Sequence, residues 1–307
     1  MQYDVVLEGG GVKIPGLVGA IAALEGHGFE PACIAGTSAG AIVASMLAAG
    51  YNAEEMRIII NDVDFNSFKD GASFGRRLPN LIFKKGIYRG DVFYRLMQDF
   101  MREKGVLTFG DLRDGETLDP NRRSRLKVYA TDLTRGNLVT WPDDAGLYGL
   151  KPDHLEVAWA VRTSMSIPFF FQPVRLDGSY FVDGGVLSNF PIWQFDTPRA
   201  PRFPTFGLNL WEKGAGMAND IKGPVTFLEA LVKTGLEAHD KRFIRPDDFH
   251  QRVIRVPVGA TKATDFGITM AQKETLFRSG YTAANAFLET WKWETYLKWA
   301  KESRGVR

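Results

Sequence analysis

Gly36-Thr37-Ser38-Ala39-Gly40 has the spacing of a G-x-S-x-G nucleophile elbow. A serine in that pattern sits on a sharp strand-to-helix turn. Small neighbours let the turn close, and the N-terminus of the following helix favours developing negative charge. The flanking residues supply that context: Ala32 to Gly36 reads as a short apolar strand, and Ala39 to Gly50 as a helix ending at a glycine. A serine nucleophile needs a base. The chain has four histidines, His27, His154, His239 and His250. None stands in a short loop after a late strand, where a Ser-Asp-His order would place it. The other candidate is Asp183, which follows the apolar run Tyr180-Phe181-Val182 and precedes Gly184-Gly185. A desolvated carboxylate gains basicity and can deprotonate serine directly. An ordinary Asp-Gly turn is the competing explanation.

A third constellation lies at the start of the chain, where Gly9-Gly10-Gly11 follows Val5-Val6-Leu7. A dinucleotide fingerprint would need glycine at position 14, and Ile14 stands there. No Walker pattern fits around Lys13. Successive amides between a strand and a helix can instead converge on the oxygen of a tetrahedral intermediate, which makes Gly9, Gly10 and Gly11 candidate oxyanion donors. Lys13 is either a cation near that anion or a surface residue.

The elements that must position these residues alternate. Tyr3 to Leu7 is predicted as a strand, Gly16 to His27 as a helix stopped by Gly28 and Pro31, then comes the strand-elbow-helix unit. This rhythm argues for a parallel, helix-covered sheet in an α/β fold. Asn52 to Gly115 is mostly helical in pattern. Strand signals return at Leu126 to Thr131, Leu138 to Thr140, Tyr180 to Val182 and Arg252 to Val258. Helices are predicted over Leu155 to Met165 and from Glu274 to about Lys301. With no repeat, low-complexity tract or linker, residues 1–307 are expected to form a single domain.

In their order along the chain, Gly9 to Lys13, Gly36 to Gly40 and Asp183 to Gly185 resemble the patatin-like phospholipase family. Tyr129 to Leu133, Ala160 to Pro168 and Gly178 to Pro191 are similar to it as well. The resemblance runs from Tyr3 to Asp196, leaving residues 197–307 as a C-terminal strand and long helix outside it. It implies a three-layer α/β/α sandwich around a central, mostly parallel sheet, and a serine hydrolase acting on lipid acyl esters; the sequence holds no convincing ligand cluster, so no metal or cofactor is expected. It places the nucleophile at Ser38, the base at Asp183 and oxyanion donors in the Gly9-Gly10-Gly11 backbone, with Lys13, Gly36, Gly40, Gly184 and Gly185 in support. The sequence departs from the family at Ile14, where glycine is usual. Pro15 is expected to hold Ile14 extended and to open the helix, with Gly16 giving a close helix–strand contact.

Composition bounds the rest. A formal charge of +2 gives no electrostatic case for nucleic acid. The basic clusters Arg122-Arg123-Ser124-Arg125 and Lys241-Arg242 read as solvated faces. The single cysteine, Cys33, reads as a buried thiol and excludes an internal disulfide. The start, Met1-Gln2-Tyr3-Asp4, has no secretory pattern, and no apolar stretch is long enough to cross a membrane, so a cytoplasmic or peripheral membrane location is expected. Lipid or phospholipid is the expected partner; the oligomeric state is not legible. Trp291, Trp293, Tyr296 and Trp299 among lysines suit either an interfacial helix or a stripe packed on the domain. Two rivals to the dyad enzyme are a histidine-dependent α/β-hydrolase using His239 or His250, and an inactive scaffold or partner-regulated effector.

Overall fold

The computed structural model of the protein describes residues 1–71, 73–113, 123–197, 199–211, 221, 230 and 248–304. Its organising strand is β1 (Gln2–Leu7), whose alternation serves both sheet faces. Tyr3, Val5 and Leu7 enter the large core cluster with helix α1 (Ile14–Gly26) and helix α2 (Ala39–Ala48), whereas Val6 enters a second cluster with Phe190, Ile192 and Phe195. Strand β2 (Glu30–Thr37) repeats the division, with Ile34 on the first face and Cys33 and Ala35 on the second. Each fully buried Val or Leu here contributes about 1.5–3 kcal/mol of transfer free energy. Cys33 is a free, buried thiol.

Between α2 and the next sheet strand lie α3 (Ala53–Asp62), α4 (Arg77–Lys84), the short β3 (Gly86–Tyr88) and α5 (Asp91–Glu103). The helical reading of this region therefore holds except at β3. Strands β4 (Leu126–Asp132) and β5 (Asn137–Trp141) form a hairpin, followed by α6 (Val157–Ser164). Next come β6 (Phe169–Phe171), β7 (Val174–Leu176), β8 (Ser179–Asp183), β9 (Thr205–Trp211) and β10 (Val253–Pro257). The main sheet has the order β10-β9-β1-β2-β4-β8-β7, with β5 on β4 and helices on both faces. Strands β10, β9, β1, β2 and β4 run parallel, whereas β5, β8 and β7 add antiparallel pairs. This is the three-layer α/β architecture anticipated from the sequence.

No strand is anticipated at β9, because Gly207 and Asn209 interrupt its apolar run. Tertiary packing overrides that local signal: a Cβ at Gly207 would lie 2.4 Å from both Ile192 and Phe190 side-chain carbons. The predicted long terminal helix is in fact two, α7 (Met270–Thr290) and α8 (Trp293–Arg304), separated at Trp291 (φ −73°, ψ 137°). Trp291 turns inward, donates its indole N–H to the Gln251 carbonyl at 3.0 Å and packs on Phe206 at 5.1 Å. Tyr296 is fully buried and its hydroxyl accepts the Thr205 amide at 3.0 Å. The aromatic stripe is thus core, and the interfacial-helix alternative is corrected.

Helices α1 and α7 cross at backbone distance. A Cβ on Gly19 would lie 1.9 Å from the Phe277 carbonyl oxygen, and one on Gly280 would lie 1.9 Å from that of Gly16. Gly16 also meets Val256 of β10, as the helix–strand contact requires. Ile14, in contrast, is helical (φ −41°, ψ −44°) as the first residue of α1, and 5% exposed. Burial of its side chain beneath the helix outweighs the pre-proline preference for extended backbone. The Gly280→Ala variant has only backbone to push against. It is expected to lose about 2 kcal/mol or more of stability, read as a lowered Tm in thermal unfolding.

Candidate active site

Ser38 stands between β2 and α2 with φ 53° and ψ −122°, a conformation that non-glycine residues adopt at a cost of about 1–3 kcal/mol. Glycines on either side permit it. A Cβ at Gly36 would lie 2.3 Å from the Gly40 carbonyl oxygen, and one at Gly40 would lie 2.3 Å from that of Leu7 in β1. The turn is therefore closed against its own helix and against the neighbouring strand. The Ser38 amide donates to Ser164 Oγ at 2.8 Å, so the end of α6 holds the corner from the side.

Asp183 reaches Ser38 through β4. Tyr129 of β4 pairs with Thr37, and the next residue, Ala130, pairs with Asp183. Because β5 occupies the other edge of β4, β2 and β8 share one edge and abut there. The Asp183 carboxylate accepts a hydrogen bond from the Gly185 amide at 2.8 Å, and the neighbouring Ser38 hydroxyl favours its ionised form. Its own amide donates to the Ser166 carbonyl at 3.0 Å. Gly184 is fitted against β4, where a Cβ would lie 2.4 Å from the Tyr129 carbonyl oxygen. Burial pushes the Asp183 carboxyl up to about 6, against the opposing influence of the Ser38 hydroxyl and the Gly185 amide.

The glycine loop completes the cluster. A Cβ on Gly9 would lie 3.0 Å from the Ser38 Cβ and 2.3 Å from Asn189 Oδ1. Asn189 ties the loop to the second motif: its carbonyl accepts the Gly9 amide at 3.1 Å, its side chain donates to the Gly9 carbonyl at 3.0 Å, and its Oδ1 lies 2.9 Å from a Cβ built on Gly185. Gly9 is consequently corrected as an oxyanion donor, since its N–H is already engaged. The amides of Gly10 and Gly11 have no partner among the described residues. Gly11 adopts φ +57°, and a Cβ there would lie 2.0 Å from the Ala263 carbonyl oxygen. Glu8 braces the strand side, accepting from Asn209 at 2.8 Å and from the Leu210 amide at 2.5 Å. Lys13 is only 5% exposed, which removes its surface reading.

Glu8, Ser164 and Asn189 are the site residues that motif reading leaves without roles. The sequence signal for Ser164 and Asn189 was their position inside stretches resembling the family, while Glu8 carried none. His27, His154 and His250 are exposed, and His27 hydrogen-bonds Asn285. His239 lies outside the described residues. The histidine-dependent alternative therefore has no support from the described chain, and His250 is corrected as its base. Among the described residues no group of three or more His, Cys, Asp or Glu side chains is arranged to hold a metal ion, and no helix is long and apolar enough to cross a membrane.

A parallel-sheet α/β fold with a serine corner, a buried carboxylate in register with it and a glycine loop against it defines a hydrolase-like class of site. The model of the patatin-like phospholipase family matches residues 5–196, and the chain belongs to that family. At family level this is a lipid acyl hydrolase. The chain is 38% identical over 304 residues to the uncharacterized protein YqhO of Bacillus subtilis, covering 95% of this chain and 99% of that one. It is 25% identical over 195 residues to the probable lipid hydrolase 463L of invertebrate iridescent virus 6, covering 61% of each. Among solved structures, VipD of Legionella pneumophila superposes with a TM-score of 0.59 at 18% identity, covering 94% of this chain and 67% of that one. ExoU of Pseudomonas aeruginosa, solved in a heterodimeric complex with SpcU, gives 0.53 at 21% identity, covering 97% and 52%.

The buried carboxylate has a thermodynamic signature. Its folded pKa of about 6 lies above the ordinary value of 3.8, so the native state binds its proton more tightly than the unfolded chain does. Stability from this group is present at low pH and is lost as pH rises from about 4 to 6, by about 3 kcal/mol. Asp183→Asn removes that titration. The variant is expected to unfold at higher temperature than the native chain at pH 8, with the gap closing towards pH 4 in calorimetry.

Proposed function

We propose that the protein cleaves lipid acyl esters by a two-step transfer through Ser38, with Asp183 as the only general base. The register that brings the Ser38 hydroxyl beside the buried Asp183 carboxylate carries this reading. Asp183 takes the hydroxyl proton as Ser38 Oγ attacks the ester carbonyl, and the carbonyl oxygen becomes an oxyanion. The Gly10 and Gly11 amides are the donors available to hold it. The dipole of α2 behind Ser38 stabilises the same charge. Collapse of the intermediate expels the alcohol portion of the lipid, protonated by Asp183, and leaves an acyl group on Ser38. Water, deprotonated by Asp183, then attacks that ester; the fatty acid leaves and Ser38 regains its proton.

The environment of each group serves this sequence. Desolvation raises the basicity of Asp183 while keeping it ionised at neutral pH, since a pKa of about 6 lies below 7. The Ser38 backbone is already held in its strained conformation in the folded chain, so little rearrangement precedes attack.

Replacement of Ser38 by alanine is expected to lower turnover of p-nitrophenyl butyrate by about 10³-fold or more and to abolish labelling by a fluorophosphonate probe. Asp183→Asn should cause a comparable loss, whereas alanine at any of the four histidines should leave turnover within about twofold. Below pH 6, kcat should fall by about tenfold per unit, as expected for one ionised base. Retained activity in Ser38→Ala, or loss on replacing His239, would refute the dyad. Mass spectrometry of products from a mixed phospholipid extract, native chain against Ser38→Ala, identifies the ester bond cut.

A further inference from the structure

Residues 73–90 carry five basic side chains, Arg76, Arg77, Lys84, Lys85 and Arg89, and no acidic one, in a chain whose net charge is only +2. The excursion is clasped at its neck by Asp70. That carboxylate accepts the Gly90 amide at 2.7 Å and the Asp91 and Val92 amides at 2.8 and 3.0 Å, and the Asp70 carbonyl accepts the Arg89 amide at 3.2 Å. Within the clasp, α4 is fixed by the buried Asn80, which donates to the Ile87 carbonyl at 3.0 Å. The helix therefore has a defined outward side. Ile82 and Phe83 stand there at 62% and 79% exposure, beside the exposed Lys84 and Lys85. Such exposure of neighbouring large apolar residues has a cost in water that a soluble core would ordinarily remove.

The patch is tied to the catalytic corner. Behind α4, β3 pairs in parallel with β6, with Gly86 opposite Phe169. Phe169 adopts φ +66° and is 38% exposed, adding a third apolar side chain at this edge. Strand β6 leaves α6 just after Ser164 and Ser166, the residues that hold the Ser38 and Asp183 amides. Lys84 also lines a cleft of about 490 Å³ with Arg89 and Arg162, where Asp91 is the single carboxylate.

We propose that α4 and the adjoining edge form a membrane-docking surface for an anionic lipid bilayer, with Ile82, Phe83 and Phe169 entering the interface and the flanking lysines and arginines meeting lipid phosphates. Apolar side chains ringed by cations match the charge and polarity profile of such a surface and no other single solvent. Lys84 belongs to both the exposed apolar stretch and the cationic cleft, which puts phosphate-binding groups next to the submerged residues. Docking here brings the side of the molecule that holds β6 and the end of α6 to the lipid, which relocates the interfacial element from the C-terminal helices to the middle of the chain. The proposal goes beyond ester cleavage and does not depend on it.

The test uses full-length protein carrying Ser38→Ala in every arm, so that vesicles are not consumed, and measures co-sedimentation with phosphatidylglycerol or phosphatidylcholine vesicles. Binding to phosphatidylglycerol should exceed binding to phosphatidylcholine and should weaken with salt. Lys84→Ser with Lys85→Ser should lower the partition coefficient by about 10- to 30-fold. Phe83→Ser alone should lower it by about tenfold or more. All three positions are exposed, so unchanged circular dichroism and, in parallel chains that retain Ser38, unchanged turnover of a soluble short-chain ester are expected to accompany the loss. Equal partitioning of variants and parent, equal affinity for the two lipids, or absence of vesicle binding would overturn the proposal. So would a dimer of the parent that Phe83→Ser converts to monomer without affecting vesicle binding. Failure of the native chain to turn over soluble esters would count against the hydrolase reading alone.

Discussion

Two consecutive residues of β4 set the geometry of this protein. Tyr129 is in register with the residue before Ser38, and Ala130 is in register with Asp183. A parallel neighbour stops and an antiparallel one takes over on the same edge, so two segments far apart in sequence arrive end to end. A slip of one residue in either pairing would turn the alternating side chains to the opposite face and separate the hydroxyl from the carboxylate. The glycines at positions 36, 40 and 184 are what permit this register, since each occupies a place where a Cβ would meet backbone.

The same register imposes burial on a carboxylate. Asp183 has protein on all sides, and the resulting desolvation opposes ionisation while the Ser38 hydroxyl and Gly185 amide favour it. A fold free to optimise stability would place a neutral group here. Retention of the charged one, together with a serine in an unfavourable backbone conformation, concentrates two destabilising features at one corner. The sheet holds both from one side; on the other, Ser164 of α6 takes the Ser38 amide and Ser166 just beyond it takes the Asp183 amide.

The serine–aspartate corner was legible in the sequence because its parts are local. A glycine-flanked serine between a strand and a helix, and an aspartate before two glycines, announce their geometry within five residues. The parts not legible are those whose meaning comes from a distant partner. Asn189 looks like any loop residue until it is seen between Gly9 and Gly185, and the Gly9 amide looks available until the Asn189 carbonyl is placed on it. Tryptophans on the terminal helices have the same spacing whether lipid or β9 covers them, so pattern alone left two readings open. Trp291 and Tyr296 decide it through hydrogen bonds to Gln251 and Thr205. Ile14 shows the opposite failure, where a sound local rule about prolines yields to burial of the side chain.

The close crossing of α1 and α7 has a consequence for the order of events during synthesis. The family-model match ends at residue 196, yet β1 lies between β2 and β9, and α1, which follows the glycine loop, is seated against Gly280. A ribosome that has made every motif residue has therefore not yet made the strand and helix that hold the first motif in place. The first motif gains its full packing only once β9 and α7 have been made.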